Sequence, residues 1–206
     1  MGSTLVQWMS MRHSEVFNWE LMILNKKFIP LFLSLSLILP NIGPIYSYAE
    51  VKATFKKEQK KIETEKENGA QIIFTKDTHE TNYLQTQEGR KLPVKHCIRQ
   101  TEGWQIIPEL KAYTSDAKII EKPTFGSVEL AKELMNADQI TLIGLCTDIC
   151  VISNALLLKA YYPEKMIQVD VSCCAGVTPQ SHENAVSAMK MCQIDIIGEQ
   201  NKKGEV

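Results

Sequence analysis

The sequence predicts an α/β fold built on a mostly parallel sheet with helices on both faces. Short apolar runs alternate with segments of helical periodicity from about residue 51 onward, and that order at that spacing builds strand–helix–strand units. The runs are nearly continuous in apolar residues, as in QITLIGL (139–145), which marks strands buried on both faces. A chain of 206 residues is long enough for one sizeable core.

The elements follow in order. KKEQKKIETEKE (56–67) mixes charges at helical spacing and reads as the solvated face of a helix from about Val51. Asn68 and Gly69 end it with a C-cap signal. QIIFT (71–75) is a short apolar strand, and a long polar loop follows through HCIRQTEGW (96–104). AKIIEK (117–122) is a strand, SVELAKELMNA (127–137) a helix, and QITLIGL a buried strand. The next helix starts near Thr147 and carries VISNALLLKAYY (151–162). MIQVDVS (166–172) is a strand, HENAVSAMKMC (182–192) a helix, and QIDIIG (193–198) the last strand. Right-handed crossovers would put every strand's carboxyl end on one edge, where folds of this kind hold their sites.

Residues 1–50 do not share this pattern and divide the chain into an atypical N-terminal segment, 1–50, and a folded domain, 51–206. The segment 1–50 has no Asp, and residues 28–49 have no charge. Its centre is FIPLFLSLSLIL, preceded by Lys26 and Lys27 and followed by small residues at Ser47 and Ala49. That outline fits a secretory signal or anchor. A buried parallel strand, LFLSLSLIL, is the next reading, and a segment foreign to the fold, such as a gene-model error, the third. A spanning helix is disfavoured by Pro30, Pro40, Gly43 and Pro44.

The net charge of −1 comes with no basic patch, which excludes a nucleic-acid partner. The six cysteines form no CxxC pair and no repeating framework, so free thiols in a reducing compartment are the simplest reading. That predicts a cytoplasmic protein, with a secreted or membrane-attached form as the alternative that the N-terminus leaves open. A homo-oligomer is compatible with everything in the sequence.

Three stretches at the carboxyl edge carry residues able to do chemistry. In KDTHETN, Asp77 and His79 are two apart in an extended segment and share a side. His96, in LPVKHC, and Glu88, in TQEGRKLP, follow in the loop. Carboxylates and imidazoles in that combination suit a divalent metal with positions left for water or substrate. The plain reading is a turn cap and surface polar residues. In GLCTDICV (144–151), Thr147 is a plausible N-cap, which leaves Cys150 in the first helical turn. Backbone N–H groups there favour a thiolate and can hold an oxyanion. The plain reading is a small residue packed under the sheet. In IIEKPTFGS, Lys122 ends a strand before a proline. It either polarises a neighbour or is merely solvated.

In combination, DxH, EGxxLPxxHC, KPTFGS, GLCTDICV and DVSCCAGVTPxSHxxA resemble the isochorismatase-like cysteine hydrolases, most of all the nicotinamidases, over about residues 71–198. The resemblance implies a Rossmann-like three-layer α/β/α fold and an Asp-Lys-Cys catalytic triad. Carried over by motif, Cys150 is the nucleophile and Lys122 the triad lysine. The backbone amides of Cys146 and Cys150 form the oxyanion hole, and a cis peptide joins Leu145 to Cys146. Asp77, His79 and His96, with Glu88, bind zinc, iron or manganese, and the metal holds the pyridine nitrogen of nicotinamide. Phe125 and Ile149 line the substrate pocket. The activity implied is hydrolysis of nicotinamide to nicotinate and ammonia, a step of NAD salvage. The near alternatives are a sister hydrolase acting on another small amide or on isochorismate, and a non-catalytic metal- or ligand-binding domain.

One departure stands out. The family's first strand ends in an Asp that takes the thiol proton, and this chain has no Asp before Asp77. By family spacing the position falls near residues 34–36, inside LFLSLSLIL, where serines stand. The first strand is therefore expected to be atypical and the activity impaired, unless a carboxylate arrives from elsewhere.

Overall fold

The computed structural model describes residues 48–199. Residues 1–47 lie outside that range, and with them every reading of the apolar N-terminal run and of its serines.

Helix α1, Tyr48–Glu67, stops where the sequence puts a C-cap. Gly69 adopts φ +79° and its N–H reaches the Lys66 carbonyl at 3.0 Å, while the Ala70 N–H reaches Glu65 at 2.9 Å. A side chain at Gly69 would be strained in that left-handed conformation. The helix buries Phe55, Glu58 and Ile62 and exposes Lys56, Lys57, Lys60 and Glu63. Its charge-dense stretch is thus a solvated face with a buried seam.

The strands are β1, Ile73–Asp77, β2, Lys118–Lys122, β3, Gln139–Leu145, β4, Met166–Ala175, and β5, Asp195–Ile197. All their pairings are parallel. Among the described residues, β1 pairs with β2, and β3, β4 and β5 form a second ladder in that order. Short helical pieces cross the loop between β1 and β2: a 3-10 turn at Tyr83–Gln85, α2 at Gln87–Lys91, a 3-10 turn at Glu102–Trp104 and α3 at Pro108–Lys111. Helices α4, Val128–Glu133, α5, Ile152–Tyr161, and α6, Pro179–Met191, follow the later strands.

Two apolar clusters occupy opposite faces of the strands. Ile73, Ile120, Ile140 and Leu142 pack with Leu130, Ala155, Leu158 and Val186 from α4, α5 and α6. Phe74, Ile143 and Cys173 pack with Phe55 and Ile62 of α1 and Leu110 of α3. Neighbours in one strand, Ile73 and Phe74 or Leu142 and Ile143, therefore face different clusters, as the two-residue strand period requires. Helices cover both faces, and the architecture is three-layered.

Several boundaries differ from the sequence reading: α4 stops at Glu133, short of Ala137, and β5 spans only Asp195–Ile197. β1 runs two residues past Thr75, because pairing with β2 continues to the end of both strands. β4 runs through Cys173 and Cys174 to Ala175, since Gly144 and Leu145 of β3 keep partners at Cys174 and Ala175. α6 begins at Pro179, behind a reciprocal cap between Thr178 and Ser181. Proline at the first turn and a hydroxyl residue before it form a start signal that the apolar periodicity alone missed. All six cysteines are free thiols. Among the described residues no helix is long and apolar enough to cross a membrane.

Candidate active site and metal centre

Parallel pairing of β1 and β2 sets Asp77 beside Lys122, the last residues of both strands. Beyond β3 the chain turns into α5. Gly144 has φ +118°, next to a register shift in the β3–β4 ladder, and the Leu145–Cys146 peptide is cis, as the resemblance implies. A single π-helical turn, Thr147–Val151, follows, with the Ile149 and Val151 N–H groups both on the Cys146 carbonyl at 3.1 Å. This turn carries Cys150 to the same edge as Asp77 and Lys122.

The three side chains meet there. Lys122 Nζ is ion-paired with Asp77 Oδ1. It also donates to Cys150 Sγ at 3.3 Å and to the Thr124 carbonyl at 3.2 Å. Those contacts employ the three N–H bonds of an ammonium. Cys150 Sγ in turn lies 3.9 Å from Asp77 Oδ2. The group is buried, with Asp77 3 %, Lys122 1 % and Cys150 0 % exposed. Burial works against the Lys122 ammonium, but the Asp77 charge and the hydrogen bonds to Asp77 and Cys150 outweigh it and hold its pKa above the ordinary value. Burial, reinforced by the Asp77 charge, pushes the Cys150 thiol well up, against the opposing pull of Lys122. Position at a helix start was expected to favour the thiolate; desolvation in this pocket outweighs that effect. Attack by Cys150 on a substrate therefore calls for a group that takes up the thiol proton.

The elbow is held from behind. Thr147, expected as the N-cap, is one residue inside the turn, Cys146 taking the cap position. The Thr147 hydroxyl is instead hydrogen-bonded to His182 Nδ1 at 2.8 Å, and the Asp148 carboxylate accepts the Val177 N–H at 3.1 and 3.2 Å. Asn154, fully buried on α5, ties the elbow to the loop after β2. Its Nδ2 donates to the carbonyls of Cys150 at 2.9 Å and Phe125 at 3.1 Å, and its Oδ1 accepts the Ser127 N–H at 2.8 Å. Sequence reasoning missed Asn154. The available signal was a lone amide on the otherwise apolar helix VISNALLL.

A second cluster stands beside the first. His79, Glu88 and His96 each present one ligand atom, all within 4.8 Å of one another. His96 Nδ1 is 2.9 Å from the Val94 carbonyl. An N–H there leaves Nε2 as the free lone pair, and Nε2 is the atom 3.6 Å from Glu88 Oε1. His79 Nε2 is 3.5 Å from the same oxygen. Glu88 Oε1 is buried yet has no hydrogen-bond partner. A buried carboxylate oxygen facing two imidazole nitrogens without a hydrogen bond is the arrangement a divalent cation satisfies. Asp77, expected in this set, is outside that group of three, and its Oδ1 is ion-paired with Lys122.

A cavity of about 830 Å³ opens over this region, lined by Thr78, His79, Glu88, Thr124 and Phe125 among others. Phe125 is 42 % exposed. Ile149 is half-buried and is not part of the lining. Cys150, Lys122 and Asp77 do not line it either; the lining residues Thr78 and Glu121 are the chain neighbours of Asp77 and Lys122.

Comparison with known proteins follows the same lines. No curated protein matches the chain. The structure superposes on the pyrazinamidase of Pyrococcus horikoshii in complex with zinc, with TM-score 0.67, 23 % identity, and 96 % of this chain and 99 % of that one covered. Nicotinamidase PncA from Bacillus subtilis gives TM-score 0.68 at 20 % identity, covering 96 % and 100 %. N-carbamoylsarcosine amidase from Thermoplasma acidophilum gives 0.62 at 18 %, covering 98 % and 99 %. These likenesses establish a shared isochorismatase-like hydrolase fold. The family described as the isochorismatase domain matches residues 46–200, three quarters of the sequence, and the chain belongs to that family.

Proposed function

We propose that the chain is a cysteine amidohydrolase that converts nicotinamide to nicotinate and ammonia. The observation that carries this is the contact of one buried ammonium, Lys122, with both Asp77 and the sulfur of Cys150 on a strand-to-helix turn. Such a trio is the equipment of nucleophilic amide cleavage.

Asp77 takes the role that the family gives to an earlier aspartate. As Cys150 Sγ bonds to the amide carbon, the thiol proton passes to the Asp77 carboxylate. The amide oxygen gains the negative charge and is held by the backbone N–H groups of Cys146 and Cys150. Collapse breaks the C–N bond, and the departing nitrogen takes the proton from Asp77 and leaves as ammonia. Water then adds to the thioester, giving a proton to the Asp77 carboxylate. The second collapse breaks the C–S bond and releases nicotinic acid, which ionises to nicotinate in water, while the thiolate recovers its proton from Asp77. Lys122 holds Asp77 and the sulfur in register throughout.

His79, Glu88 and His96 would hold a zinc, iron or manganese ion, which would take the pyridine nitrogen as a ligand and so anchor the ring. Phe125 offers an apolar wall to that ring. Six free thiols suit a reducing compartment, and we place the activity in cytoplasmic NAD salvage.

A differently shaped amide is the second reading. It is favoured by a lining that continues past the metal cluster to Glu80, Lys91, Arg99 and Glu121. The test is ammonia release by the metal-loaded chain beside Cys150→Ala. Turnover of nicotinamide that vanishes in Cys150→Ala is expected. A folded, metal-loaded chain that releases no ammonia from nicotinamide overturns the substrate assignment, and release from N-carbamoylsarcosine instead would favour the second reading.

A further inference from the structure

Tyr83 has no part in the chemistry above, yet its ring packs against both histidines of the metal cluster and its backbone holds the helix that carries Glu88. It lies in the loop between β1 and β2 and is fully buried, 0 % exposed. Its ring centroid is 4.7 Å from that of His79 and 4.9 Å from that of His96, and the two imidazoles are 4.8 Å apart. The three rings thus make a nearly equilateral triangle. Tyr83 is tilted 51° against His79 and 78° against His96, within the offset and edge-on geometries aromatic pairs favour. Its hydroxyl donates to the Leu92 carbonyl at 3.0 Å, which fixes the ring in its plane.

The backbone of Tyr83 serves the third ligand. Its carbonyl accepts the Thr86 N–H at 2.9 Å and the Thr86 hydroxyl at 2.7 Å. Thr86 is the N-cap of α2, the helix carrying Glu88, and its Oγ1 accepts the Gly89 N–H at 2.9 Å. A Cβ on Gly89 would fall 2.0 Å from the Tyr83 carbonyl oxygen. Only glycine lets α2 seat this closely.

We infer that Tyr83 is a positioning residue for the metal centre, its ring setting the two imidazole planes and its carbonyl seating the helix that presents Glu88. The inference rests on reading His79, Glu88 and His96 as metal ligands. The physical reason is preorganisation. Imidazoles held in place before the ion arrives lose no rotamer freedom on binding it. Groups behind metal ligands typically contribute ~10–100-fold in affinity.

The test uses the full chain with Tyr83→Phe and Tyr83→Leu. Zinc affinity is measured by competition with a chromophoric chelator, and the visible absorption of the cobalt-loaded protein reports ligand geometry. Tyr83→Phe keeps the ring and is expected to stay near the wild type in both. Tyr83→Leu is expected to bind zinc ~10–100-fold more weakly and to shift the cobalt bands, with the far-UV spectrum of the metal-free chain unchanged. Wild-type affinity and spectrum in Tyr83→Leu overturn the inference, as does a Tyr83→Phe chain as weak as Tyr83→Leu. If Tyr83→Leu does not fold, Thr86→Val decides, because it removes the hydroxyl that joins the Tyr83 carbonyl to the Gly89 N–H of α2 and leaves only the Thr86 N–H on that carbonyl. Weakened zinc binding there supports the inference, and unchanged binding overturns it. A wild-type chain that binds neither zinc nor cobalt refutes the metal reading itself, an outcome distinct from all of these.

Discussion

Replacing Asp77 by asparagine separates its two candidate roles. The side chain keeps its size and loses its charge and its ability to take a proton. If Asp77 accepts the Cys150 proton, ammonia release falls by ~10²–10⁴, the usual cost of a positioned general base, while bound metal stays at the wild-type level. If Asp77 ligates the metal, bound metal falls with it, as it should for His96→Ala in either case. The stability effect follows from burial. Lys122 is 1 % exposed, so Asp77→Asn leaves a buried ammonium without its counter-charge, and breaking such a pair costs about 3–5 kcal/mol. At ~2–4 °C per kcal/mol for a chain of this size, the melting temperature should drop by roughly 6–20 °C. The double variant Asp77→Leu, Lys122→Met removes both charges and should regain most of that loss while remaining inactive, because apolar replacement of a buried pair is often neutral. The assays are ammonia release, metal content after loading and dialysis, and thermal melting by circular dichroism. Wild-type turnover in Asp77→Asn, or metal loss matching His96→Ala, would refute the reasoning.

Two further outcomes are expected. Asn154→Leu strands the buried Ser127 N–H, at about 1–3 kcal/mol, and removes the amide's bonds to the Cys150 and Phe125 carbonyls; it should melt below the wild type, and an unchanged midpoint would show that the elbow does not depend on this amide. Burial raises the thiol of Cys97 to about 12 and of Cys173 to about 11 from a reference of 9.0. A group whose pKa rises on folding stabilises the fold below its unfolded pKa and loses that contribution as pH climbs toward the folded value. The midpoint should therefore hold steady from neutral pH to about pH 8.5 and then fall steeply, by up to ~1.4 kcal/mol per thiol per pH unit; a flat profile to pH 10.5 would contradict it.

The layered α/β architecture was legible because it rests on local pattern. Near-continuous apolar runs such as QITLIGL can be satisfied only by burial on both faces, and QIIFT, MIQVDVS and QIDIIG repeat the arrangement. The helix ending at Gly69 was legible for the same kind of reason, since the left-handed C-cap is written in one residue. Strand and helix limits were less so. Where β1 ends depends on its pairing with β2, and where β4 ends depends on β3, and neither partner is visible within the segment itself. The start of α6 was written in the Thr178–Pro179–Ser181 capping pattern, which apolar periodicity does not register.

At the site, the sequence by itself determined which chemical groups are present. Motif order singled out Cys150, Lys122, His79, Glu88 and His96, and the structure brings them to one edge in two adjoining clusters. Only the tertiary structure decided how Asp77 is engaged. Spacing aligns it with His79, two residues on, but the β1–β2 register sets it against Lys122, and a buried ammonium claims the nearest carboxylate. The structure alone also showed that burial pushes the Cys150 thiol up, against the pull of the helix start. Asn154 and Tyr83 became visible in the same way: each works through partners far along the chain or through ring packing, and such contacts leave no periodic trace in a sequence. Composition and period record what a residue can do; the register of neighbouring strands and the depth of burial determine which of those possibilities it performs.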